Sequence, residues 1–209
     1  MSTKSSAMGI VSIVRVVDTR EYEEVGDKWT PIPGSGLENQ CSRCGRSHEV
    51  HATVKLQDGS FAVVGTGCMK AESVEIRSEI KKLTSASKRV AKLEAEKSKY
   101  LVLIAEKEAI ESQVREMSFP GTSERVVDNI DSKGTEYQTY EIFFSDGSSP
   151  FVSFSALTER DYERAETYWR GNKAKELGLT YAHTSAAYYL QGTQKAINKI
   201  MDKYPELVA

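Results

Sequence analysis

Cys41-Ser-Arg-Cys44-Gly45 and Gly65-Thr66-Gly67-Cys68 hold all three cysteines of a 209-residue chain. Two of the three histidines, His48 and His51, lie between them, and the third, His183, is far along the sequence. Side chains able to grip a soft metal ion are therefore confined to residues 41–68. A Cys-x-x-Cys followed by glycine lets two thiolates reach one ion from a tight turn, and the glycine relieves the backbone where the chain reverses. Between the two cysteine motifs, His51-Ala-Thr-Val-Lys-Leu56 and Ser60-Phe-Ala-Val-Val64 flank Asp58-Gly59, a strong hairpin signal. Cys68 then stands at the entrance to a helix-forming sequence. Knuckle, hairpin, then a ligand at a helix start is the order of a treble-clef zinc fold.

Cys41, Cys44 and Cys68 supply three ligands. His51, which opens the first hairpin strand, is the preferred fourth, with His48 in the knuckle turn as the alternative. Glu72 is a weaker third option, because carboxylates are less common structural ligands. A thioredoxin-like redox role is disfavoured, since no βαβ pattern surrounds the motif and a third cysteine is near. A catalytic zinc would keep a water position and a general base beside it. Four protein ligands at knuckle spacing point instead to structural Zn2+, standing in for an apolar core beneath a small hairpin.

Residues 38–72 resemble the small zinc knuckles, treble-clef-like with Cys3His ligands, of bacteriophage and plasmid accessory proteins. The resemblance rests on Cys41-x-x-Cys44-Gly45, a histidine-bearing strand, and Val64-Gly65-x-x-Cys68 before a helix. It implies a ligand set of Cys41, Cys44, Cys68 and His51, and it specifies a metal fold rather than an activity.

Working outward, Gly9-Ile-Val-Ser-Ile-Val-Arg-Val-Val17 reads as a strand, rich in β-branched residues. Tyr22 to Asn39 carries charges, prolines and glycines and reads as an ordered loop. From Ala71 to Met117 there is no glycine or proline, and apolar residues recur at steps of three, four or seven. That stripe predicts one long helix, about 70 Å at 1.5 Å per residue, serving as a coiled-coil-like arm or as the partner of another helix. An antiparallel helical hairpin is the alternative. Phe119-Pro120-Gly121 ends the segment.

Beyond it, Arg125–Ile130 and Tyr137–Phe144 flank Asp131-Ser-Lys-Gly134, a second hairpin, and Phe151-Val-Ser-Phe154 reads as a third strand. Thr158 caps a helix through Trp169, and Ser185 opens another through Lys203. The expected fold is α+β. It has an N-terminal strand and zinc-bound hairpin (residues 1–70), a long helical arm (71–119) and a small antiparallel sheet with two or three helices (120–209).

A net charge of −2 and a pI near 6.0 exclude a global basic field, so nucleic-acid contact would need a local patch. One such patch is visible. Lys81, Lys82, Lys88, Arg89, Lys92, Lys97 and Lys99 face only Glu94 and Glu96 in their stretch, and the helix turns acidic beyond it. With Arg43 and Arg46 of the knuckle they are candidate contacts to nucleic acid or a protein partner. The competing reading is a solvated helix face. Antiparallel pairing of the basic and acidic halves would permit self-association through the arm. Late aromatics such as Trp169, Tyr188 and Tyr189 read mainly as packing residues, and His183 as a structural residue beside a helix start.

No phosphate-binding loop, nucleotide fingerprint or Ser/His/Asp order is present. The opening residues lack the apolar core of a signal peptide, no apolar run reaches a membrane span, and the odd cysteine count suits a reducing cytoplasm. The expectation is a non-enzymatic, zinc-containing binding protein of the cytoplasm, an accessory factor that engages a host macromolecular complex. A protein partner is favoured over nucleic acid on net charge. A nucleic-acid-binding protein is the runner-up and a metal-dependent nuclease or hydrolase the third reading.

Overall fold

The computed structural model describes residues 8–26, 28–147, 153–154 and 157–207. They form an α+β protein of small antiparallel sheets and α-helices, one of them 43 residues long. The chain divides into two compact units, residues 1–101 with 187–209 and residues 102–186. The divisions expected at residues 70 and 119 follow element boundaries, whereas packing gives the long helix to both units.

In the first unit, β1 (Ile10–Asp18) pairs with β6 (Val50–Leu56), which pairs with β7 (Phe61–Gly65). The β6–β7 turn is made by Asp58-Gly59, with Gly59 at φ +82° and Asp58 accepting from the Ser60 N–H at 2.9 Å. Register shifts between Ile10 and Ser12 and between Ile13 and Arg15 break strict alternation in β1. This lets Ile13 and Val16, three apart, both face inward. They join Ala52, Val54, Val64, Met69, Ile80 and Leu83 in one core, which also contains the side chain of Cys41. Each buried aliphatic chain contributes about 1.5–3 kcal/mol.

The stretch read from sequence as a loop, Tyr22 to Asn39, contains a hairpin of β2 (Tyr22–Val25) and β3 (Lys28–Pro31). Gly26 takes φ +61° in its turn. Arg20 grips Asp18 through Nε at 2.8 Å and Nη2 at 2.7 Å, and the Tyr22 hydroxyl donates to the same carboxylate at 2.7 Å. Burial pushes the Asp18 carboxyl up, but the hydrogen bonds from Arg20 and Tyr22 outweigh it and hold it below its ordinary 3.8. A pKa depressed by folding gives stability that is complete above about pH 4 and lost as pH falls through the folded value. Asp18→Asn should therefore flatten the acid limb of a stability-versus-pH curve from urea melts. An unaltered limb would show that Asp18 is not linked to folding.

The segment free of glycine and proline forms α1 (Val74–Glu116) without interruption, so the single helix holds over the hairpin alternative. Ser73 starts it, its Oγ accepting from the Ile76 N–H at 3.3 Å. Ile76, Ile80, Leu83 and Ala86 form its buried face at steps of four and three. Its partner is another helix of the same chain, α3 (Tyr181–Lys203). In the first unit Tyr100 stacks on Tyr189 with ring centroids 5.7 Å apart, and Ile200 and Tyr204 lie beside Ala86 and Arg89, so the two helices run antiparallel.

In the second unit, β8 (Thr122–Ile130), β9 (Glu136–Phe144) and β10 (Ser153–Phe154) form a sheet in the order β10-β9-β8. The strand expected at 151–154 is described only at its last two residues. The helix α2 (Glu159–Glu176) begins at Thr158 as the sequence indicated, with Asp161 accepting from the Thr158 N–H and hydroxyl at 2.9 and 2.7 Å. Ile142, Phe144, Ala165 and Trp169 form the core of this unit.

The start of α3 corrects the sequence reading. Ser185 lies inside the helix, its hydroxyl donating to the Tyr181 carbonyl at 2.8 Å. Thr180 precedes the first turn, and its N–H donates to His183 Nδ1 at 3.1 Å, a capping arrangement with an imidazole in the carboxylate's usual place. With Nδ1 accepting, Nε2 carries the proton and donates to Glu106 at 3.1 Å. His183 thus has a structural role. Among the described residues no helix is long and apolar enough to cross a membrane.

Candidate metal centre

Two short strands, β4 (Asn39–Gln40) and β5 (Ser47–His48), pair and bring together the ends of the cysteine turn. Within it, Cys41 N–H donates to the Arg46 carbonyl at 2.9 Å and Gly45 N–H to the Cys41 carbonyl at 2.8 Å. Gly45 sits at φ +68°, the left-handed conformation that its place in the motif requires. Ser42 N–H donates to the Val63 carbonyl at 2.8 Å, tying the turn to β7. Past β7 the chain forms a 3-10 helix, Thr66–Ala71, which carries Cys68 before α1 begins.

These elements converge Cys41, Cys44, His48 and Cys68, whose ligand atoms all lie within 4.8 Å of one another. All three cysteines are free. Cys44 Sγ is 3.4 Å from His48 Nε2, Cys68 Sγ is 3.5 Å from Cys44 Sγ, and Cys68 Sγ is 3.7 Å from His48 Nε2. Zn–S bonds of about 2.3 Å and Zn–N bonds of about 2.0–2.1 Å set tetrahedral edges of about 3.5–3.8 Å. The four residues lie close enough together to hold a metal ion.

The fourth ligand is the point on which geometry and the sequence preference part. His48 joins the cluster, and His51 does not. On β6, His51 is buried opposite Gly65, its Nδ1 3.4 Å from Asn39 Nδ2. Burial and the nearby Arg15 cation hold its pKa below the ordinary value. Glu72 is also outside the cluster. Its Oε1 accepts from Arg43 Nη1 and from the Met8 N–H, both at 3.0 Å.

Gly65, marked in the sequence only as part of the Gly65-x-x-Cys68 motif, is the residue that admits His48. A methyl group on Gly65 would lie 2.5 Å from two ring carbons of His48. Gly65 has φ −59°, an ordinary value, so the requirement for glycine here is space and not conformation. Gly65→Ala is expected to push His48 aside and weaken metal binding at least tenfold, the scale of lost supporting-shell contacts. Competition with a chromophoric chelator measures this, and unchanged affinity would refute the steric account.

Electrostatics favour a cation among the thiols. Burial pushes Cys41 up, yet backbone N–H groups of Gly65, Cys44 and Arg43 donating to its sulfur bring it below its ordinary value. Burial and the neighbouring Cys44 and Cys41 push Cys68 up to about 12. Three adjacent thiolates repel one another, and a bound cation removes that penalty.

The cationic candidates fare unevenly. Arg43 is not a surface contact: its side chain is 7% exposed, and Nη1 donates to the Cys68 carbonyl at 2.7 Å as well as to Glu72. Lys92 lies over the Tyr22 ring, Lys99 pairs with Glu24, and Lys97 pairs with Glu94 at 3.3 Å. Arg46, Lys81, Lys82, Lys88 and Arg89 remain exposed. Sequence reasoning passed over Lys70 and Arg77, which stand beside Lys81 and Lys88 along one groove. Helical offsets of four and seven from Arg77 and Lys81 would have found the α1 members.

No family model, curated protein or solved structure matches the chain. The fold and the site therefore define its class alone: an α+β protein with a Cys3His cluster between a strand-edged turn and a 3-10 helix.

Proposed function

We propose that this is a non-enzymatic binding protein in which a structural zinc ion, held by Cys41, Cys44, His48 and Cys68, fixes the N-terminal unit for recognition of a macromolecular partner. The observation that carries the reading is the closed donor set. Three sulfurs and one imidazole complete a tetrahedral sphere by themselves, which is the pattern of structural rather than catalytic zinc. The carboxylate nearest in sequence to Cys68, Glu72, is engaged by Arg43 and so is not poised as a base. When bound, the ion would supply cross-linking: it would tie the turn at Cys41 and Cys44 to the 3-10 helix at Cys68. In this reading the chain acts as an accessory factor on a larger host assembly, the setting that the resemblance of residues 38–72 implies.

Metal analysis of the purified chain should return about one zinc per molecule, and cobalt substitution should give the visible absorption of a tetrahedral thiolate-rich site. A five- or six-coordinate cobalt spectrum, with metal-dependent turnover, would replace this reading with the hydrolase one.

A further inference from the structure

The 3-10 helix that carries Cys68 also forms one wall of a groove, and α1 forms the other. The groove has a volume of about 460 Å³ and is open to solvent. Lys70 stands on the first wall and Arg77, Lys81 and Lys88 on the second, and among the described residues no carboxylate lines it. Among the described residues none of these four cations has an ion-pair partner. Hydrogen bonds from the backbone and from Ser73 hold the carboxyl of Glu75 below its ordinary value, and Arg77 adds a smaller electrostatic pull without pairing with it. Thr66 and Thr84 add hydroxyl donors, and Met69 and Ile80 make an apolar floor. From Arg77 to Lys99 the helix carries eight cations against Glu79, Glu94 and Glu96. The mild net charge of the whole chain therefore conceals a strongly positive stretch.

We infer that this groove binds the phosphate backbone of a nucleic acid. Arg77 to Lys88 spans about 16 Å along α1 at 1.5 Å per residue, enough to meet several successive phosphates. Lysine, arginine and threonine side chains are those that phosphate oxygens take, and a groove open to solvent suits a long chain better than an enclosed small molecule. The inference rests on the binding-protein reading above and names its partner. The metal acts on the groove at second hand. Cys68 lies between Gly67 and Met69 on the shared wall, so the ion would set where Thr66 and Lys70 point.

The test uses the full, zinc-loaded chain and end-labelled 20-nucleotide single-stranded DNA, single-stranded RNA and duplex DNA, followed by fluorescence anisotropy. Binding to at least one is expected, weakening with salt at a log–log slope of about −3 for four contacts. Arg77→Glu with Lys81→Glu and Lys88→Glu should cut affinity more than tenfold while zinc content stays at wild type. Lys133→Glu, on the β8–β9 hairpin turn of the second unit, should change it less than twofold. The DNA, RNA and duplex arms identify the source of the backbone. Three results would overturn the inference: no salt-dependent binding by zinc-loaded protein, equal loss in the Lys133 control, or tighter binding of a poly-glutamate peptide than of any nucleic acid. A chain that purifies without zinc but binds through the groove would instead overturn the structural-zinc reading and leave the groove standing.

Discussion

Cys41→Ala should abolish stoichiometric metal binding and destabilise the first unit by on the order of 5 kcal/mol, the largest effect of any single substitution here. Structural zinc contributes about 10–16 kcal/mol of apparent folding free energy in peptides that have little else. This unit retains its own apolar core around Ile13, Val54, Val64 and Leu83, so it should lose part of its stability and not all. Cys41 carries the effect because it belongs to both systems. Its sulfur belongs to the cluster that could hold the ion, and the residue is 1% exposed within the core. Urea melts with and without chelator check this as a cycle. Chelation should lower the wild-type midpoint to near that of Cys41→Ala, and should leave the variant's own midpoint unmoved. A variant that keeps one metal per chain would show that the site does not depend on this thiolate.

Trp169→Ala should cost about 3–5 kcal/mol in the second unit, the range for removing a buried tryptophan. The ring is 4% exposed and meets Phe119 edge-on with centroids 5.7 Å apart. Its Nε1–H donates to Asp146 at 2.7 Å, so truncation both opens a cavity and removes a charge-assisted hydrogen bond. Trp169→Phe separates the two parts. It keeps most of the packing and loses the donor, and its expected cost is about 1.5–3 kcal/mol. Circular dichroism during denaturation reads both variants, and equal costs for Phe and Ala would assign the whole effect to the hydrogen bond.

The parts of this fold that were legible in the sequence are those where a local rule and the packing agree. Asp58-Gly59 and Asp131 to Gly134 sit between β-rich runs, and both make hairpins because left-handed glycines close them. The unbroken run after Ala71 makes one helix because nothing in it opposes helix and its stripe finds α3. The hairpin of β2 and β3 was hidden by short strands of charged residues ending in Pro31, which local propensity scores as loop. The start of α3 was misplaced because His183 is an unfamiliar partner for a capping threonine, while Ser185 offered a familiar one. The cysteines of the metal cluster were plain from spacing. The choice between His48 and His51 was not, since each lies in a strand within reach of the same turn. Free space above Gly65 decides it, and that depends on strand pairing invisible in the residues themselves.

The packing of Tyr204 and Leu207 has a consequence for how the chain is made. Tyr204 and Leu207 pack against the core built by β1, β6 and β7, all of which precede residues 102–186. Residues 102–186, by contrast, form their unit from one continuous stretch. Since synthesis proceeds from the N-terminus at several residues per second, the later stretch can close while the earlier one still lacks its final pieces. The unit built on β1, β6 and β7 is then completed only after the stretch that interrupts it has been made.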